Sequence, residues 1–218
     1  MSTFPGSPRL LKGGIVLIDP STSEVLRIIA LQYNPETLNR TFQIKALAEG
    51  GDRSDAMRLT GPPVESIKVD VEIDATDQLE FPDQNPSFAE VGIHPQLAAL
   101  ETIVYPANSQ IQTNNQLVNS GTLEIIPMES PLTLFIWSKN RVLPVRLTEL
   151  SVTEEAFDPN LNPIRAKISL GMRVLSINDL PFEHKGSSLY MSYHQQKEAL
   201  AARASGGSLN SLGITRIP

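Results

Sequence analysis

Three carboxylates recur at alternate positions, Asp70, Glu72 and Asp74, and Lys68 keeps the same phase. On a strand this spacing puts all four side chains on one face. Carboxylates are the ligands of hard cations such as Ca²⁺. Side chains two residues apart on a strand stand roughly 7 Å apart, however, and cannot converge on one ion without a bend. The spacing therefore favours a solvated ladder or one facing cations elsewhere. Arg165, Lys167 and Arg173 form a ladder of opposite sign with the same alternation. A cross-strand or cross-subunit match between the two would set register and orientation more than stability. These seven residues are the candidate interface.

Other chemistry is sparse. The three histidines, His94, His184 and His194, lack the close spacing of a local metal motif and read as surface or capping residues. There is no cysteine, which excludes disulfides, thiolate nucleophiles and cysteine-ligated metals. Gly13-Gly14 precedes an apolar run, whereas a phosphate cradle needs glycines between a strand and a helix. No G-x-S-x-G elbow occurs. Aromatics are 6% of residues, and the one tryptophan, Trp137, ends an apolar run that reads as core. The expectation is a protein that is not an enzyme, carries no cofactor or metal, and works through surfaces.

Composition agrees with that expectation. The 218 residues carry 18 Lys+Arg and 24 Asp+Glu, a formal net charge of −6, whereas a general nucleic-acid binder shows a basic patch. At 40% hydrophobic and 19% charged the chain is globular and long enough for a real core. Pro5, Gly6 and Pro8 interrupt the start where a secretion signal needs an apolar run. The apolar runs fall well short of the ~20 residues that span a bilayer. The chain is expected to be soluble and cytoplasmic, with no nucleic-acid partner and no membrane insertion.

The elements that must position these residues are mostly strands. Within 64–74, from Ile67 onward, Ile67, Val69, Val71 and Ile73 point one way and Lys68, Asp70, Glu72 and Asp74 the other. Over 165–175, Ala166, Ile168, Leu170, Met172 and Val174 alternate with Arg165, Lys167, Ser169, Gly171 and Arg173. Further strands are predicted at 14–19, 25–33 and 132–137, with partly exposed ones at 38–45 and 142–154. Turn chemistry at 19–23, 138–141 and 158–163 joins them into hairpins, the last three strands forming an antiparallel meander. A helical turn is predicted at 86–90 and a helix at 96–104 behind Pro95, ended by Tyr105-Pro106. Segments 48–63, 107–121 and 205–218 read as loops or linkers. A helix at 187–204 shows no clear core-facing stripe and reads as ordering only against a partner.

Three blocks of sequence resemble one family, the tube-related baseplate proteins of contractile, phage-tail-like injection systems. The first is Leu31-Gln32-Tyr33-Asn34-Pro35-Glu36-Thr37-Leu38, a strand ending in an Asn-Pro turn. The second runs from Leu59 to Thr76 and contains the carboxylate ladder. The third runs from Pro131 to Val174 and contains Phe135, Trp137, Phe157, Asp158, Pro163, Arg165 and Ala166. The order and spacing of all three agree with the family over roughly residues 10–178. The chain departs from it in having Ser138 where a glycine usually follows the tryptophan, in a longer polar segment at 105–130, and in lacking room for a C-terminal LysM domain.

The resemblance implies a mainly β fold with one or two helices, a tail-tube-like antiparallel β-barrel or sandwich with a flanking helix. It implies a domain at 1–180 with an insertion at 105–130, then an extension at 181–218 made of a helix plus a flexible tail. It implies a homohexameric ring in the baseplate that joins the central spike to the inner tube and initiates tube assembly. Self, the inner-tube protein, the spike or hub protein and other baseplate proteins are then the partners, and the charged ladder lines either the lumen or a subunit boundary. Alternatives are a main-tube or tube-end protein of the same machine, or a non-catalytic β-rich binding module. On this reading, reversing Asp70, Glu72 and Asp74 to Lys impairs assembly but not folding, and removing residues 187–218 leaves a folded core.

Overall fold

The computed structural model describes residues 11–46, 58–121, 130–204 and 206–217. Its frame is one seven-stranded antiparallel sheet: β1 (Gly14–Ile18), β2 (Val25–Ala30), β3 (Asn39–Gln43), β4 (Val64–Asp74), β5 (Leu132–Ser138), β6 (Arg141–Phe157) and β7 (Pro163–Val174). The spatial order is β2-β1-β5-β6-β7-β4-β3. Five α-helices accompany it: α1 (Thr76–Leu79), α2 (Pro86–Val91), α3 (His94–Glu101), α4 (Asn108–Asn119) and α5 (Lys185–Ala201). The mainly β class and the meander of β5, β6 and β7 are as the alternation predicts. The sheet is not closed into a barrel, and the helices outnumber the one or two expected.

The alternation of β4 and β7 sets their faces. Ile67, Val69 and Val71 of β4 and Ala166, Ile168, Leu170 and Met172 of β7 are buried, while Lys68, Asp70 and Lys167 between them are exposed. β1 is apolar at every position after Gly14 because both of its sides are covered. Ile15 and Leu17 join the main core, and Ile18 joins a second cluster with Leu132, Leu134 and Leu189. One main cluster holds residues of β1 and β4, which lie near opposite ends of the strand order. The sheet therefore rolls around its own core. Each fully buried core side chain, such as Phe135, Ile168 or Leu170, contributes about 1.5–3 kcal/mol.

β6 changes register between Leu147 and Glu149 opposite Gly171 of β7. A Cβ at Gly171 would meet the Glu149 Cβ at 2.9 Å, so the bulge needs glycine there. α3 starts on His94-Pro95, as Pro at a first helical position favours. It buries Leu97 and Leu100 in the core.

Two helical segments differ from their expectations. Segment 107–121 reads as a loop, yet α4 forms there without burying a residue. Its Asn, Gln, Ser and Thr content is what hides it. Residues 122–129, the end of the expected insertion, and 47–57, most of the expected loop 48–63, lie outside the described residues. The helix near the C-terminus does have a core-facing stripe: Gly186, Ser187, Tyr190 and Tyr193 of α5 are buried. Tyrosine and small residues carry it instead of aliphatic ones, so a search for Leu and Val misses it. His184 caps this helix by accepting from the Gly186 N–H at 3.0 Å.

Candidate functional site

The two charged ladders lie side by side on adjacent strands. In the β4–β7 register Asp74 faces Arg165, Glu72 faces Lys167, Asp70 faces Ser169, and Lys68 faces Gly171. Arg173 faces Ser66. The ion pairs form within this one chain. Arg165 Nε donates to Asp74 Oδ2 at 2.7 Å and lies 3.6 Å from Glu72 Oε1. Lys167 reaches Glu155 of β6 at 2.9 Å, Lys68 reaches Glu149 of β6 at 3.2 Å, and Arg173 reaches Asp179 beyond β7. Glu149 and Glu155 of β6 and Asp179 beyond β7 are partners that lie outside both ladders. Asp70 is exposed and makes no ion pair among the described residues. Such exposed pairs are worth ~0–1 kcal/mol each.

The Gln32-Tyr33-Asn34-Pro35 block sits where the roll fails to close. β2 and β3, the two edges of the sheet, are consecutive in the chain, and the block lies in the segment between them. The Gln32 amide makes both bonds of a missing strand pair. Its Oε1 accepts from the Asp74 N–H at 2.9 Å, and its Nε2 donates to the Asp74 carbonyl at 2.6 Å. Asn34 does the same toward the chain entering β1. It accepts from the Gly13 N–H at 3.0 Å and donates to the Leu11 carbonyl at 2.7 Å. Side-chain amides thus tie the crossing to both ends of the roll. Tyr33 is exposed and Pro35 half-buried.

The third block builds the core and the β6–β7 turn. Phe135 is fully buried and stacks on Trp137 with centroids 5.9 Å apart. Ala166 is fully buried beside Arg165. Asp158 organises the turn: its Oδ1 accepts from the Asn160 and Asn162 N–H groups at 2.7 and 2.8 Å, and its Oδ2 accepts from Asn162 Nδ2 at 2.8 Å. The Pro163 carbonyl accepts from the Ile93 N–H at 3.0 Å, joining the turn to α3. A Cβ on Gly92, which sits at φ +60°, would lie 2.3 Å from that carbonyl. Phe157 is half exposed at the same turn.

Three turn carboxyls are held below the ordinary 3.8. Hydrogen bonds from the Ser21 hydroxyl and the Thr22 and Ser21 amides bring Asp19 down to about 2. The Asn162 side chain and amide lower Asp158. Burial raises Asp74, and hydrogen bonds from Thr76 and Arg165 outweigh it, leaving that carboxyl lowered. A carboxyl with a depressed folded pKa contributes stability above its unfolded pKa and loses it as pH falls through the folded value. Thermal stability should therefore fall as the pH drops below about 4. Mutating Asp158 to Asn should flatten part of that acid limb. A melting temperature independent of pH between 5 and 2 would contradict the assignment.

One cavity of about 280 Å³ lies at the seam between β2, β4 and α3, lined by Ile28, Leu31, Val71, Ile73, Pro95 and Ala99 among others. Among the described residues no group of three or more His, Asp or Glu could hold a metal ion, and no helix is long and apolar enough to cross a membrane. No family model matches the chain, and no curated protein matches it. Among solved structures it is similar to a chain from the virion of a native gene transfer agent particle. The two are 12% identical with a TM-score of 0.26, over 79% of this chain and 95% of that one. At that score the likeness bears no weight for fold or function.

Proposed function

We propose that this protein is a non-catalytic structural part of a phage-tail-like contractile injection system, a homohexameric baseplate ring that joins the spike to the inner tube and starts tube assembly. The observation that carries the reading is the state of the sheet edges. β2 is an edge strand of sequence Val-Leu-Arg-Ile-Ile-Ala, and its Val25, Leu26 and Ile28 are exposed, Ile28 by 68%. β3, at the other edge, exposes Phe42. An apolar open edge is a liability in a monomer and a ready interface in a ring. The three sequence blocks support the same reading, since their residues brace the roll and its turns. The partners on this reading are further copies of the chain, the inner-tube protein, the spike or hub protein and other baseplate proteins.

The ladder divides into two experiments. Asp70 is exposed and makes no ion pair among the described residues, so replacing it by Lys should leave the fold within about 0.5 kcal/mol of the parent. On the ring reading it should weaken assembly, by placing a new cation at the lumen or subunit boundary. Asp74→Lys should damage the fold itself, because Asp74 holds Arg165 and accepts from the Thr76 N–H at 2.8 Å. The clean assembly variant is therefore Asp70→Lys alone, not the triple reversal. Sedimentation and thermal unfolding of both variants test this, and an Asp74→Lys protein as stable as the parent would overturn it.

A further inference from the structure

α4 forms without support from the described residues of its own chain. It runs 12 residues, Asn108–Asn119, and buries none of them. Isolated helices of about 12–15 residues are marginal in water even when rich in alanine. Asparagine, serine and threonine are weaker formers than alanine. Ala107 at the N-cap offers no side-chain capping bond. The hydroxyl bonds here are local: Thr113 Oγ1 donates to the Ser109 carbonyl at 2.9 Å, and Ser120 Oγ donates to the Leu117 carbonyl at 2.8 Å. None of the seven Asn and Gln side chains of α4 makes a hydrogen bond among the described residues. A helix of this composition needs an outside contact to persist.

Charge and spacing identify that contact. No charged residue or histidine lies between Glu101 and Glu124, in a chain that is 19% charged. A helix facing water carries charge on its outer face. A charge would also meet its like when a helix packs on its own copy. An Asn or Gln amide holds both donors and an acceptor, so it pairs with its own kind. Ile111, Asn114, Asn115 and Val118 stand at i, i+3, i+4 and i+7, one stripe of the helix. The stripe reads apolar, amide, amide, apolar in either direction. Its two ends are open to solvent, Ile111 by 50% and Val118 by 49%. We propose that α4 packs antiparallel against α4 of a second copy, about a two-fold axis between Asn114 and Asn115. Ile111 then meets the partner's Val118, Asn114 meets the partner's Asn115, and each contact occurs twice. A two-fold contact cannot by itself close a six-membered ring, so the pairing goes beyond the ring reading and stands without it.

Sedimentation and amide exchange of the whole protein, at high and low concentration, test the pairing. The α4 amides should be protected at high concentration and exchange more than about tenfold faster once dilution separates the copies, with β6 and β7 unchanged. Asn115→Lys and Asn114→Glu should each weaken association. Neither position is fully buried, and lysine and glutamate form helix better than asparagine, so the melting temperature should not fall. Mixing the two variants sets a cation of one copy against a carboxylate of the other and should restore association. A monomer at every concentration, α4 exchange independent of concentration, single variants that associate as the parent does, or a mixture no better than its parts would each overturn the pairing. Two-fold dimers from a protein that forms no six-membered ring would keep the pairing and reject the ring. Rings in which α4 stays unprotected would do the reverse.

Discussion

A chain ending at Asp179 is expected to fail to fold. Truncation there removes α5, and with it Tyr190 and Tyr193 from the main core. It also dismantles a cluster built around a buried carboxylate. Glu65 of β4 faces the core and is 3% exposed. Its Oε1 accepts from Arg40 Nε at 2.8 Å and Tyr193 Oη at 3.3 Å, and its Oε2 accepts from Lys197 Nζ at 3.1 Å. Lys197 also lies over the Tyr193 ring at 4.1 Å. Two of the three partners of this carboxylate come from α5. Burial of two tyrosines at about 1.5–3 kcal/mol each and a broken buried ion cluster at about 3–5 kcal/mol together rival the ~5–15 kcal/mol that holds a domain. Circular dichroism and thermal unfolding of the truncated chain provide the check. A cooperative transition near the parent temperature would show that α5 is an appendage. The point variant Tyr193→Ala should cost about 3–5 kcal/mol, and Tyr193→Phe about 1 kcal/mol.

The second large effect is expected at Gln32. Replacing it by Leu keeps the bulk and leaves the Asp74 N–H and carbonyl without the amide that pairs them. Two partly buried backbone groups left unmet cost about 2–4 kcal/mol. For a chain of this size that is a fall in melting temperature of roughly 5–15 °C. The loss should be local at first: amide exchange at Asp74 and along the end of β4 should accelerate more than exchange in β6 or β7. Uniform acceleration, or no change in stability, would mean that Gln32 is not the clasp of the roll. Tyr33, exposed next to it, serves as the control, and Tyr33→Phe should stay within about 0.5 kcal/mol.

Much of the sheet was legible because its strands bury one face. Ile67, Val69 and Val71 against Lys68, Asp70 and Glu72 allow only one phase, since a slip by one residue would bury the charges. The turn residues at 19–23 and 158–163 then mark where strands reverse. Closure was not legible. The crossing from β2 to β3 is tied to the end of β4 and to the chain entering β1 by the Gln32 and Asn34 amides, whose partners lie 42 and 21 residues away. Local pattern cannot reach that far. The packing of the C-terminal helix is hidden for a related reason: the Tyr193 hydroxyl and the Lys197 ammonium turn toward the sheet because Glu65, 128 and 132 residues earlier, is buried there. The ladders are legible, and opposite signs do meet at Arg165, but Glu149 and Glu155 of β6, outside both ladders, take Lys68 and Lys167. α4 is hard to read because Asn, Ser and Thr are weak helix formers and no apolar face of it is buried.

The measurement that tests the central claim most directly is cryo-electron microscopy of phage-tail-like particles purified from the organism that makes this chain. The ring reading predicts six copies between spike and inner tube, with β2 and β3 edges at the subunit boundaries. Particles of that type in which no density fits this chain would contradict it.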